Sequence, residues 1–175
     1  DIVRALIART DGWLRVVEGD SPPPGWYGKP WAGWQGYQAA KGDVLLFTDA
    51  DTRHAPDLLG RAVAALEDQK ADLLTILPEQ TLGSFWERSV MPHMLFMIGL
   101  RYFTPLMNRT RNPLHVVANG QFIMMPRASY DAIGGHQAVK HEVVEDLRLA
   151  QLVVAGGRKL YVTHAEEFMR TRMYR

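Results

Sequence analysis

The sequence has 175 residues, of which 47% are hydrophobic and 22% charged, with a formal net charge of +1 and no cysteine. That length and balance suit one domain with a real core and exclude a disordered chain. The near-zero charge offers no field for nucleic acid, and the missing cysteine excludes disulfides, thiolate metal sites and cysteine nucleophiles.

In chain order, "DIVRALIART" places Ile2, Val3, Leu6 and Ile7 at helical spacing. "WLRVVEG" reads as a short strand near Leu14–Val17. A helix feeding a strand with nothing before it looks like a βαβ unit without its first strand. The chain therefore reads as a fragment cut at both ends, a partial single domain over residues 1–175. "EGDSPPPGWYGKP" is a loop by composition. "PWAGWQGYQAAKGD" reads as a short helix, with Pro30 in its first turn and Gly42 just past its end. "DVLLF" is a continuous apolar run, as expected for a central parallel strand covered on both faces.

"APDLLGRAVAALEDQ" is an amphipathic helix opened by Pro56, with Leu59, Ala62, Val63 and Leu66 as its stripe. "ADLLTIL" is the next strand. The Phe85–Met107 region is dense in apolar and aromatic side chains. Pro92, His93, Arg101 and Pro105 interrupt it, and it falls short of the roughly 20 apolar residues a span requires. Core packing is its default role; a membrane-surface helix, with Arg88 and Arg101 nearby, is the sharper one. "VVANGQFIMMP" reads as a strand, "RASYDAIGG" as a helix closed by Gly134 or Gly135, "VVEDLRLAQLVVAGG" as a helix capped by Gly156, and "RKLYVT" as a last strand. This alternation predicts an α/β fold with a mostly parallel central sheet.

Four groups could carry chemistry. Asp49 and Asp51, in "LLFTDADT", stand at the carboxyl end of a strand, where open α/β sheets bind ligands. Two carboxylates there would suit a divalent cation shared with phosphates; a capped turn is the plain alternative. Glu145 and Asp146 open a helix. They either complement its dipole or supply a general base for a hydroxyl nucleophile, and the preceding loop adds His136 and His141. Lys29 lies between a glycine loop and a helix start, where it could meet a phosphate or simply face solvent. Arg170, Arg172 and Arg175 could steady a diphosphate or form a solvated tail. No phosphate-binding G-x-x-x-x-G-K loop and no G-x-S-x-G elbow is present.

In order, "PPGWYGKPWA", "GDVLLFTDADTRHAPDLL", "FWERSVMP", "ANGQF", "GGHQAVKHEVVEDLRLA" and "TRMYR" resemble family-2 glycosyltransferases, in particular the branch acting on carotenoids and other membrane lipids. The resemblance covers nearly the whole chain and rests on the ordered set. It implies a GT-A fold, a nucleotide-diphospho-sugar donor, Mg²⁺ or Mn²⁺, and a lipid-like hydroxyl acceptor. It implies that Asp49 and Asp51 match the metal-binding D-x-D, Asp51 the firmer ligand. Asp146 matches the catalytic base, with Glu145 its neighbour. Lys29, Gly120 and Gln121 match donor-facing positions, and Arg172 matches the arginine of a later motif whose other residues here are Met169, Met173 and Tyr174. The resemblance further implies the cytoplasmic face of a membrane, with membrane helices following. A polysaccharide-elongating transferase of the same fold, a non-catalytic sugar-nucleotide or membrane-binding module, and a metal-dependent phosphohydrolase are the alternatives.

Overall fold

The structure, a computed structural model, describes residues 2–7, 9–10, 12–165 and 167–171. Helix α1 spans Ile2–Ile7 and α2 spans Gly28–Ala39; strands β1 (Val44–Thr48) and β2 (Thr52–His54) follow. Next come α3 (Leu58–Asp68), β3 (Leu73–Leu77), β4 (Glu79–Gln80), α4 (Phe85–Arg101) and α5 (Thr104–Met107). The chain continues through β5 (Phe122–Pro126), α6 (Arg127–Ala132), α7 (Gly135–Ala138), α8 (Glu145–Ala155), β6 (Leu160–His164) and β7 (Met169–Thr171).

Among the described residues the main sheet has the order β1-β5-β3-β6, and a smaller one the order β2-β7-β4. β3 pairs in parallel with β6, and β5 runs antiparallel to both β1 and β3. Three of the four main strands therefore point the same way. Their carboxyl ends meet the entry to β5 at one end of the sheet, and this is where the site forms.

Side-chain alternation along the strands builds two cores, one on each face. Leu73, Ile123, Met125, Leu160 and Val162 face α8 through Leu149, Ala150 and Val153. Leu74, Ile76, Phe122 and Met124 face α3 through Leu58, Ala62 and Leu66. Helices thus cover both faces of the sheet, the α/β layering that the alternating elements predict.

Several local expectations need correction. β1 is an edge strand among the described residues, and its bonded neighbour is antiparallel, not parallel. Only Leu45 of that strand is buried, while Val44 is exposed. Residues 14–17 form no strand, and Val16 and Val17 are exposed. On α3 the buried stripe begins at Leu58, and Leu59 faces solvent. Core packing does not describe α4, which buries no residue. Trp86, Phe96, Met97 and Leu100 are each more than 60% exposed. No helix among the described residues is long and apolar enough to cross a membrane.

Candidate active site

The site is assembled from four chain segments. β1 ends at Thr48 and delivers Asp49. The first turn of α2 supplies Lys29, the first turn of α8 supplies Glu145 and Asp146, and the Asn119–Gly120–Gln121 turn leads into β5. Lys29 Nζ lies 2.8 Å from Glu145 Oε1 and 3.2 Å from Asp49 Oδ1, so one ammonium bridges two carboxylates from distant segments. Burial alone would lower the Lys29 pKa. The hydrogen bond and charge of Glu145, with those of Asp49, outweigh it and hold the pKa above its ordinary value.

Asp146 is held differently. Its Oδ2 accepts the Gly120 N–H at 2.7 Å, and its Oδ1 accepts the Leu147 N–H at 2.7 Å. Each oxygen keeps a lone pair, and the residue is only partly buried. Gly120 has to be small here. A Cβ at that position would stand 3.0 Å from both Asp146 Oδ2 and Lys29 Nζ, tighter than ordinary contact.

Asn119 braces this turn. Its backbone N–H donates to Thr75 Oγ1 at 2.9 Å, and its side-chain amide donates to Ile76 O at 3.3 Å and to Gln121 Oε1 at 3.2 Å. Gln121 Nε2 in turn donates to Thr171 Oγ1 at 3.1 Å, tying the turn to β7. On the β1 side, Thr48 Oγ1 donates to Gln121 O at 2.9 Å, and Thr52 Oγ1 donates to Asp49 O at 2.7 Å. The main-chain position of Asp49 is thus fixed against the turn that presents Gly120.

Two clefts meet at this cluster, and Lys29, Asp49 and Gly120 line both. The smaller, about 450 Å³, runs between α2 and β1 and includes Glu145 but not Asp146. The larger, about 800 Å³, includes Asp146 but not Glu145 and extends past Leu77 and Met107 to Leu95, Ile98 and Tyr102. The adjacent acids of α8 therefore face different spaces. Glu145, 5% exposed, is committed to Lys29. Asp146 is open to the roomier side.

Asp49, Glu145, Asp146, Lys29, Gly120 and Gln121 thus lie together. Asp51 is exposed on the turn after Asp49 and lines neither cleft. The amide of Gln121 is engaged on both sides, so it holds Asn119 and Thr171 in place. Arg170 is paired with Glu79, Nε to Oε2 at 2.6 Å. Arg172 and Arg175 lie outside the described residues. His136 lies in α7, buried at the smaller cleft; the Tyr130 hydroxyl accepts its backbone N–H at 2.9 Å and lies 2.8 Å from its Nδ1. Burial, and then the charge of Lys29, pull the His136 pKa down to about 4. The bracing roles of Thr48 and Thr171 have no sequence signal, because their partner Gln121 lies far from them along the chain.

Among the described residues no three of His, Cys, Asp and Glu form a group able to hold a metal ion by themselves. Asp49 and Asp51 offer an all-oxygen pair of carboxylates. That donor set fits a hard divalent cation whose remaining ligands come from phosphate and water.

An α/β sheet with acidic residues at its carboxyl end is the architecture of many nucleotide-binding enzymes. Residues 1–173 match the family model "Glycosyl transferase family 21", and the chain belongs to that family. That is a family of glycosyltransferases, as the sequence resemblance implies. The chain is 28% identical over 176 residues to a 4,4'-diaponeurosporenoate glycosyltransferase of Staphylococcus aureus strain MRSA252, covering 97% of this chain and 45% of that protein. It is 27% identical to the protein of the same description from strain USA300, with the same coverage. The chain thus spans less than half the length of these curated relatives. A crystal structure of mannosyl-3-phosphoglycerate synthase from Rubrobacter xylanophilus aligns with a TM-score of 0.42 at 15% identity, over 85% of this chain and 44% of that one.

Proposed function

We propose that this chain carries the catalytic site of a glycosyltransferase moving a sugar from a nucleotide-diphospho-sugar to a hydroxyl of a lipid-like acceptor, with inversion and divalent-metal dependence. One observation carries the reading: Asp146 is held by two backbone N–H groups in a cleft that Leu77, Leu82, Leu95, Ile98 and Met107 also line, beside a Lys29 bridge that includes Asp49. Membership of the family supports it, as does the 4,4'-diaponeurosporenoate in the relatives' description.

In this reading Asp146 accepts the proton of the acceptor O–H. The freed oxygen attacks the anomeric carbon from the face opposite the diphosphate. The bond from that carbon to the diphosphate oxygen breaks, and the nucleoside diphosphate leaves with the electron pair. A single displacement of this kind inverts the anomeric centre. Lys29 places a cation where negative charge grows on the leaving group, and Glu145 and Asp49 keep it there. Mg²⁺ or Mn²⁺, held by Asp49 and Asp51, would neutralise diphosphate charge. The exposed apolar side chains of α4, with Arg88 and Arg101, suit contact with a membrane surface on its cytoplasmic face.

Asp146→Asn, made in the full-length protein, tests the base. Transfer to a hydroxyl acceptor should fall by about 10²–10⁴-fold, while metal-dependent binding of the nucleotide-sugar persists in titration. Near-normal turnover on a hydroxyl acceptor would remove Asp146 from the role. The substrate in the relatives' name carries the suffix of a carboxylate, and a carboxylate acceptor needs no proton removed. Turnover that survives Asp146→Asn on carboxylate acceptors alone would assign that acceptor class.

A further inference from the structure

The larger cleft has one wall made by a single face of α4. Leu95, Ile98, Gly99 and Tyr102 follow the i, i+3, i+4, i+7 spacing that puts side chains on one side of a helix, and all four line the cleft. The lining also includes Leu77, Met107 and Val117, and Asp146, bonded to Gly120, lies at the Asn119–Gln121 turn. Leu95 and Ile98 of α4, and Tyr102 just past its end, carry large side chains. The fourth is a glycine inside a 17-residue helix, where glycine is disfavoured against alanine. Nothing in its own surroundings requires it. A Cβ at Gly99 would meet no atom within 4 Å, and no positive φ is recorded there, unlike at Gly134 and Gly135. What glycine provides at this position is open space on the cleft side of the helix.

Resting on the glycosyltransferase reading above, we propose that the α4 wall is the subsite for the acceptor's apolar chain and that Gly99 determines how long a chain it admits. An acceptor whose oxygen sits at Asp146 has its apolar body in this same cleft. The chain passes over the gap at Gly99 toward the exposed apolar side chains farther along α4. A short acceptor reaches Asp146 without crossing that gap.

The test replaces Gly99 with Leu in the full-length protein. Hexanol and octadecanol serve as acceptors, with a panel of nucleotide-sugars as donors and Mn²⁺ present. Gly60→Leu is the control, since Gly60 lies in a helix, also meets nothing within 4 Å, and lines neither cleft. For Gly99→Leu, kcat/KM on octadecanol should fall by about tenfold or more, while hexanol stays within about twofold, as expected for a methylene-scale steric block. Donor hydrolysis without acceptor and the thermal midpoint should hold at the wild-type level, and Gly60→Leu should match wild type on both alcohols. Equal losses on the two alcohols, or no loss on either, would overturn the subsite while leaving the transferase reading intact. A wild-type protein that consumes no donor and glycosylates neither alcohol would overturn both.

Discussion

At the scale of single residues, Lys29 and Glu145 form the pair on which the site's electrostatics turn. Glu145 has 6% of its side chain exposed, whereas Lys29 has 55%. The two directions of removal are therefore unequal. Lys29→Met leaves a buried carboxylate without its cation and should cost about 2 kcal/mol in denaturant unfolding. Glu145→Gln leaves a lysine that still has Asp49 and water. It should cost about 1 kcal/mol or less, discounted for the exposure of Lys29. The double variant should be more stable than the sum of the single losses predicts, giving a coupling of about 1 kcal/mol. Strict additivity would mean the bridge has no energetic content. The pH dependence has a definite sign. The pKa of Lys29 is raised above its ordinary 10.5 in the folded protein. Its pairing therefore stabilises fully below that pH and weakens as pH climbs through the raised value. The stability gap between wild type and Glu145→Gln should narrow above that point, not at neutral pH.

Among the elements, α4 is set apart because its order does not come from burial. Ser84 caps it by accepting the Glu87 N–H at 3.1 Å, and Glu87 in turn accepts the Gly83 N–H at 2.6 Å. Local capping thus supplies part of what packing does not. Phe96, Met97 and Leu100 are each about two-thirds exposed and line neither cleft. Replacing all three with Gln should leave unfolding free energy within about 0.5 kcal/mol, as for ordinary surface changes. If α4 enters a lipid surface, the same replacement removes apolar area worth roughly 1.5 kcal/mol or more per side chain. Co-sedimentation with vesicles containing anionic phospholipid should then drop at least about tenfold. A triple variant that unfolds readily, yet binds vesicles as before, would show that α4 packs inside the protein and not against lipid.

Across the whole molecule, what the sequence displays is what depends on neighbours in the chain. The runs "LLTIL" and "FIMMP" are strands β3 and β5, buried at nearly every position as their continuous apolar character requires. Gly134, at φ +77, closes α6 as expected, and a Cβ on Gly135 would collide with the Tyr130 ring. The place of Asp49 follows from element order, since strand ends of an α/β sheet collect at one end; Lys29 and Asp146 reach it from the first turns of α2 and α8. Strand neighbours are not written locally. β5 inserts between β1 and β3, so β1 gains an antiparallel partner from far along the chain. The phase of α3 is set by the sheet beneath it, so Leu58 and not Leu59 is buried. The link between the two sheets is equally nonlocal, and it yields the last prediction. Thr171, on the central strand of the small sheet and 2% exposed, accepts from Gln121 Nε2 at 3.1 Å. Gln121 holds Asn119, and these two flank the Gly120 N–H that positions Asp146. Thr171→Val keeps the shape but leaves the buried amide donor unpaired, which should cost about 1–3 kcal/mol. It should also lower transfer by loosening the turn at Asp146. Thr171→Ser retains the hydroxyl and should restore most of the activity, even though it removes a buried methyl. If Val and Ser variants lose activity in step with stability alone, the link is packing; if Ser recovers turnover out of proportion to stability, the hydrogen bond from the small sheet sets the geometry of the candidate base.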